Sequence, residues 1–214
     1  MDLIPRDFFA RLSVPVAPDV LGCVLEHQTE AGLVAVELTE VEAYAGASDP
    51  ASHSYRGKTA RNAVMFGPPG HAYVYFTYGM HFCVNVVCAG NGSASAVLFR
   101  AGRIVAGEQL ARTRRTREGK MIAFRDLARG PARLCQALDI DRSLDGTDLC
   151  VPDSPLRMRW PDTSTTDRSA KIATGPRVGV SQAAERPWRF WIEGDPTVSV
   201  YRPATPRRRK LVTP

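Results

Sequence analysis

The sequence predicts one domain of mixed strands and helices, and three observations carry that reading. Its 214 residues, 44% of them hydrophobic, suffice for a single sizeable core. Short apolar runs, several of them alternating and closed by Gly- or Asn-bearing turns, recur through the first half of the chain. Other stretches carry helix signals instead, including a Gly-Pro start. Seventeen Gly, sixteen Pro and only 23% charged residues exclude a coiled coil, a repeat array or a fully disordered chain.

In chain order, residues 7–12 predict a short helix, and Pro15 and Pro18 precede a second one containing Leu21. Residues 33–44 alternate, with Val34, Val36 and Leu38 on one parity and charged or small residues on the other, the pattern of a half-buried strand. Residues 45–70 are rich in Gly, Ser, Pro and Asn and predict an irregular, structured loop. A loop this long points to a functional segment. Strands over residues 72–77 and 82–88 are closed by the turn Tyr78-Gly79-Met80. Asn91-Gly92 marks another turn, and residues 95–101 a fourth strand. Residues 108–115 predict a basic helix, and Gly130-Pro131 opens another that runs through Leu138. Residues 151–175 show no regular pattern, and short strands are expected at 178–180, 189–193 and 197–200. The domain is expected to span residues 1–203. Residues 204–214, with Arg207-Arg208-Arg209-Lys210, read as a flexible basic tail.

Twenty-eight Lys and Arg against twenty-two Asp and Glu give a formal charge of +6, which suits a polyanionic partner. The five cysteines are scattered and form no CxxC pair, which argues against a disulfide framework or a zinc site and for a reducing, cytoplasmic setting. No basic leader precedes a long apolar run, and the most apolar stretch, residues 73–88, is broken by Tyr78-Gly79, His81 and Asn85. A soluble protein without a membrane span is therefore expected.

The strand at residues 33–44 carries the most information. Its apolar parity runs on into Glu40, Glu42 and Tyr44, and a carboxylate on a buried face is costly unless it is paired. The plainer reading is a strand that emerges into solvent at Thr39. Arg100 continues the parity of Ala96 and Leu98 and calls for a carboxylate, either Glu42 or Glu40; an ordinary cross-strand ion pair would look the same. Tyr73, Tyr75, Tyr78 and Phe82 cluster about one hairpin, either as packing or as a base-stacking platform with Tyr78 as a wedge. His53 lies in the long loop, solvated or able to stack. Asn85 sits in an apolar strand and must hydrogen-bond backbone or ligand. Basic residues gather at 112–120, at Arg125, Arg129 and Arg133, and in the tail. P-loop, dinucleotide-binding, HExxH and GxSxG patterns do not occur.

Val41-Glu42-Ala43-Tyr44-Ala45-Gly46, Ala51-Ser52-His53-Ser54, Arg61-Asn62 and Met65-Phe66 occur in an order that resembles the alkyladenine (3-methyladenine) DNA glycosylase family. The likeness continues through Tyr73-Val74-Tyr75-Phe76-Thr77-Tyr78-Gly79-Met80, Cys83-Val84-Asn85, Leu98-Phe99-Arg100-Ala101, Gly130-Pro131 and Arg177-Val178-Gly179-Val180. It runs from about residue 6 to residue 202. Residues 151–175 and the tail depart from it, as does His81, where related proteins carry an aromatic.

The resemblance implies a mixed α/β (α+β) fold, a single compact domain around a curved, largely antiparallel sheet with peripheral helices. It implies excision of alkylated or deaminated purines, of the 3-methyladenine, 7-methylguanine, hypoxanthine and ethenoadenine class, from double-stranded DNA. Glu42 is then the general base that activates water, held with it by Arg100 and the Val178 carbonyl. Tyr44 stacks on one face of the extruded base, and His53 and Tyr75 on the other. The His53 amide reads the purine edge, Asn85 lines the pocket floor, and Tyr78 fills the gap in the helix. No metal, organic cofactor or membrane is implied, and a monomeric enzyme without lyase activity, in the cytoplasm or on a prokaryotic nucleoid, is expected. A non-catalytic nucleic-acid-binding module and a nucleoside hydrolase are the alternatives.

Overall fold

A computed structural model describes residues 2–77, 79–90, 92–116, 121–161 and 170–204. Its strands are β1 (Val24–Thr29), β2 (Gly32–Ala45), β3 (Ala72–Thr77), β4 (His81–Cys88), β5 (Ser95–Ala106), β6 (Leu156–Arg159), β7 (Ile172–Gly175) and β8 (Arg189–Ile192). They form one curved sheet in the order β3-β4-β5-β2-β1-β6, with β8 pairing β2 beyond the end of β1 and β7 pairing β8. Every paired neighbour among them is antiparallel. Among the described residues, four short α-helices, α1 (Arg6–Phe9), α2 (Ser13–Asp19), α3 (Glu108–Arg115) and α4 (Pro131–Leu138), lie at the periphery. The expected mixed fold around a curved antiparallel sheet is what the chain forms. Among the described residues, no helix is long and apolar enough to cross a membrane.

The 14-residue strand β2 organises the molecule, and here the structure corrects the sequence reading. The strand is not half-buried: residues 34–43 are buried on both faces. Nor does one parity run its whole length. Val34, Val36 and Leu38 enter the main core, but beyond them the core residues are Val41 and Ala43. The register with β5 slips at Leu38/Glu40 and again at Glu40/Val41. Such a bulge adds one residue to one strand and turns the following side chains over. Glu40, Glu42 and Tyr44 thus occupy the face opposite Val34, Val36 and Leu38. On β5 the backbone closes against β2 at Gly102, where a Cβ would lie 2.3 Å from both the Glu37 carbonyl oxygen and Val36 Cγ1. Only glycine fits that approach.

Helices α3 and α4 match their sequence signals. Gly130 caps α4 with φ 107° and Pro131 is its first residue. This suits proline, whose missing amide is unpaired in a first turn anyway. Helix α2 instead contains Pro15 and Pro18 and ends at Asp19, before Leu21. Residues 151–175 do hold strands, β6 and β7. Residues 178–180 and 197–200 are not strands, because their amides are drawn elsewhere: Val178 donates to Glu42 and Ser199 to Glu40.

Candidate active site

The antiparallel register carries one face of the sheet across four strands. Glu42 pairs with Leu98, Leu98 with Asn85 and Asn85 with Tyr73, while Tyr44 pairs with Ala96 and Tyr75 with Cys83. Directly paired residues share a face, so this side presents Glu42, Tyr44, Tyr73, Tyr75, Cys83, Asn85 and Leu98 together. The intervening residues, Val41, Phe99, Val97, Val86, Val84 and Val74, all enter the main core. A cavity of about 450 Å³ opens on the polar and aromatic side, lined among others by Tyr44, His53, Tyr75, Asn85, Arg100 and Val178. Its volume suits a small ring system.

The long loop after β2 forms the opposite wall. It leaves the strand through Gly46 at φ +61°, where a Cβ would lie 2.4 Å from the Ser93 carbonyl oxygen. Ser54 Oγ donates to the Ala94 carbonyl at 3.1 Å, and Asn62 Nδ2 to the His53 carbonyl at 3.0 Å, so the loop is fastened at the histidine and at the residue after it. The His53 ring meets Tyr75 edge-on at 4.6 Å, and Tyr75 stacks with Tyr73 at 5.5 Å. Burial, helped by Arg61, lowers the His53 pKa and favours the neutral ring. Asn85 donates through Nδ2 to the Tyr73 carbonyl at 3.0 Å, which answers where its buried amide finds a partner.

The two buried carboxylates differ in where their donors sit: Arg189 and Ser199, which serve Glu40, lie outside the cavity wall, and those that serve Glu42 lie in it. A carboxylate has about four acceptor sites. Glu40 takes four donors, three of them on Oε1, Arg100 Nε at 2.8 Å, Arg189 Nε at 2.7 Å and Ser199 Oγ at 2.9 Å, and the Ser199 amide on Oε2 at 2.7 Å. Burial would raise its pKa, but the two arginines and the amide hold it below the usual carboxylate range. Glu42, equally inaccessible, takes three donors: the Val178 amide at 2.6 Å and Arg100 Nη1 at 3.3 Å on Oε1, and Tyr44 Oη at 2.8 Å on Oε2. One acceptor position remains on Oε2. All three of its donors belong to residues that line the cavity. Arg100 therefore bridges both candidate carboxylates, and Glu40 is its closer partner.

The structure brings Glu42, Tyr44, His53, Tyr75, Asn85, Arg100 and Val178 to one site, and at Val178 the contact it shows is through the amide. Tyr78, residues 117–120 and the tail at 207–210 lie outside the described residues. Sequence reasoning missed a further pair. Arg177 is 1% exposed and binds Asp49 with both terminal nitrogens, at 2.5 and 2.8 Å, and the Ala43 carbonyl at 3.0 Å. Its guanidinium also lies 4.6 Å from the Tyr44 ring centre and 5.2 Å from that of Trp188. It ties the start of the long loop, the stacking tyrosine and the residue before Val178 into one unit. The available signal was Arg177 heading its Arg-Val-Gly-Val string, but 128 residues separate it from Asp49.

Residues 7–196 match the family model described as methylpurine-DNA glycosylase. A protein of Streptomyces avermitilis is 56% identical over 211 residues, covering 97% of this chain and 95% of its own. One of Leifsonia xyli subsp. xyli is 51% identical, covering 92% of each chain, and one of Frankia casuarinae 48%, covering 94% and 93%. All three are named provisionally as 3-methyladenine DNA glycosylases.

Proposed function

The chain belongs to the methylpurine-DNA glycosylase family, and from that premise we propose that it excises alkylated or deaminated purines from duplex DNA by hydrolysing the N-glycosidic bond. The observation that carries the reading is Glu42: a fully buried carboxylate with one acceptor position open, whose three donors all line an aromatic cavity.

A base inside the helical stack is out of reach, so the enzyme flips the nucleotide, at a cost of a few kcal/mol. Tyr44 and the His53–Tyr75 pair supply the two stacking walls, and Asn85 the floor, where it crowds the exocyclic amino group of normal guanine. Tyr78 occupies the vacated place in the helix. Water bound where Arg100 and Val178 meet the cavity is oriented and deprotonated by Glu42 Oε2. As the base departs, positive charge grows on the sugar and the Glu42 carboxylate stabilises it. Glycoside hydrolases use two carboxyls, one of them as acid. A cationic alkylated purine already leaves readily, so a single carboxylate suffices for it. The cavity wall offers no lysine among the described residues to form a Schiff base, in keeping with a glycosylase that leaves an abasic site uncut. The enzyme acts as a monomer, through one domain with a short basic tail, wherever the cell keeps its DNA.

The test is single-turnover base release from duplexes with one defined lesion, wild type against Glu42→Gln. Loss of a general base predicts a fall of about 10²–10⁴-fold with lesion binding retained. Equal release by both proteins would remove Glu42 from the role. Tight duplex binding by wild type with no release from any lesion would leave a binding module.

A further inference from the structure

A second cavity of about 500 Å³ adjoins the first and shares Arg100, Pro131 and Val178 with it. Its remaining wall includes Asp126, Arg129, Arg133 and Arg202. The charges there do not cancel. Arg129 Nη1 lies 3.4 Å and Arg133 Nη1 3.6 Å from the same Asp126 oxygen. Arg202 is exposed and has no ion pair among the described residues. Arg100 adds nothing to the excess, since Glu40 and Glu42 neutralise it. Three guanidinium groups thus face one carboxylate across a concave surface, where low-dielectric walls concentrate the field.

The backbone fixes this cluster relative to the site. The Gly179 amide donates to the Arg202 carbonyl at 3.0 Å, placing Arg202 beside Val178. Arg129 Nε donates to the Val198 carbonyl at 2.8 Å. The first residues of α4 line the same space, and amides in a first helical turn have no intrahelical acceptor.

We infer that this second cavity holds a backbone phosphodiester of the lesion-bearing strand, one of the two flanking the flipped nucleotide, with Arg133 and Arg202 as its chief ligands. The inference rests on the glycosylase reading. If the scissile bond lies at the end of the first cavity near Arg100 and Val178, both phosphates are carried by the same sugar. One of them must then lie just across those shared residues, where the surplus positive charge is. A free base or nucleoside would have no use for this second space.

The test uses the full chain and a duplex with a stable abasic-site analogue, with binding followed by fluorescence anisotropy over a salt series. Neutralising one phosphate contributes about −0.9 to the slope of log K against log salt. The Arg133→Ala/Arg202→Ala double variant should lose about that much slope, and not twice as much, because both residues serve one phosphate. In wild type, a neutral methylphosphonate at one of the two flanking positions should produce the same loss. In the double variant it should produce no further loss. The Arg133 side chain is about half exposed and Arg202 is exposed, so the variants are expected to fold; matching urea midpoints check this. An unchanged slope in the double variant overturns the inference, and so does a methylphosphonate penalty that persists in it. Base release is measured separately. If wild type releases base while the slopes do not move, the phosphate site alone fails. If the slopes move as expected but no lesion duplex yields base, the glycosylase reading fails, and with it the assignment to a flipped nucleotide.

Discussion

Replacing Arg177 by methionine removes one partner of a pair in which neither side chain is exposed to solvent. Asp49 would be left with backbone donors only, Ala45 at 3.3 Å and Ala51 at 3.2 Å, both long. An uncompensated charge in such a place costs about 3–5 kcal/mol. In a chain of this size each kcal/mol moves the melting temperature by roughly 2–4 °C, so a fall of about 6–20 °C is expected. Urea denaturation gives the free energy directly. The double variant Arg177→Met/Asp49→Leu should recover part of the loss, because both charges leave together. Below the melting range, base release should fall too, since the cation behind Tyr44 and the register of Val178 go at once. A loss below about 1 kcal/mol, or additive single and double variants, would refute the account of Arg177 as a buried, coupled clamp.

Three further outcomes follow from the same geometry. Glu40→Gln should cost about 3 kcal/mol in urea denaturation, because two buried arginines lose their shared anion, while lesion release falls far less than in Glu42→Gln; the reverse ranking in release would exchange the two carboxylates' roles. Gly102→Ala should destabilise by about 1–3 kcal/mol, since the new Cβ meets the Glu37 backbone as well as Val36; an unchanged melting temperature would show that the β2–β5 approach is slack. Burial works against ionisation of Asp49, yet Arg177 holds its carboxyl below the usual range, so its contribution is complete above the unfolded pKa and is lost as pH falls through the lower native value. The stability gap between wild type and Asp49→Asn should therefore be widest near neutral pH and narrow below about pH 4. A gap that widens on acidification would contradict the sign.

The sequence pointed to buried carboxylates on β2 partly for a wrong reason. Glu40 and Glu42 are buried as expected, but by belonging to a second face created by the bulge, which simple alternation cannot see. Strand β1 escaped notice because Glu26 and His27 interrupt its apolar pattern. Those groups are satisfied by distant partners, Arg157 and Arg159 for Glu26 and the Leu138 carbonyl for His27. Residues 178–180 and 197–200 looked like strands because they are apolar and β-branched, yet side-chain carboxylates took the amides that a ladder would have used. Helices α3 and α4 were legible because their signals, a basic helical run and a Gly-Pro start, are local. The Arg177–Asp49 clamp was not, because nothing local requires it.

The bulge at Thr39–Glu40 also makes the site a matter of counting. Deleting one residue there would leave composition and charge almost untouched, and every later side chain would still have its neighbours in sequence. Yet Glu42 and Tyr44 would turn into the hydrocarbon interior, and Val41 and Ala43 would look out on the cavity. The chemistry of this face is thus stored in chain length as much as in side-chain identity. Grafting these residues onto a regular sheet would carry over the letters of the site and lose its phase.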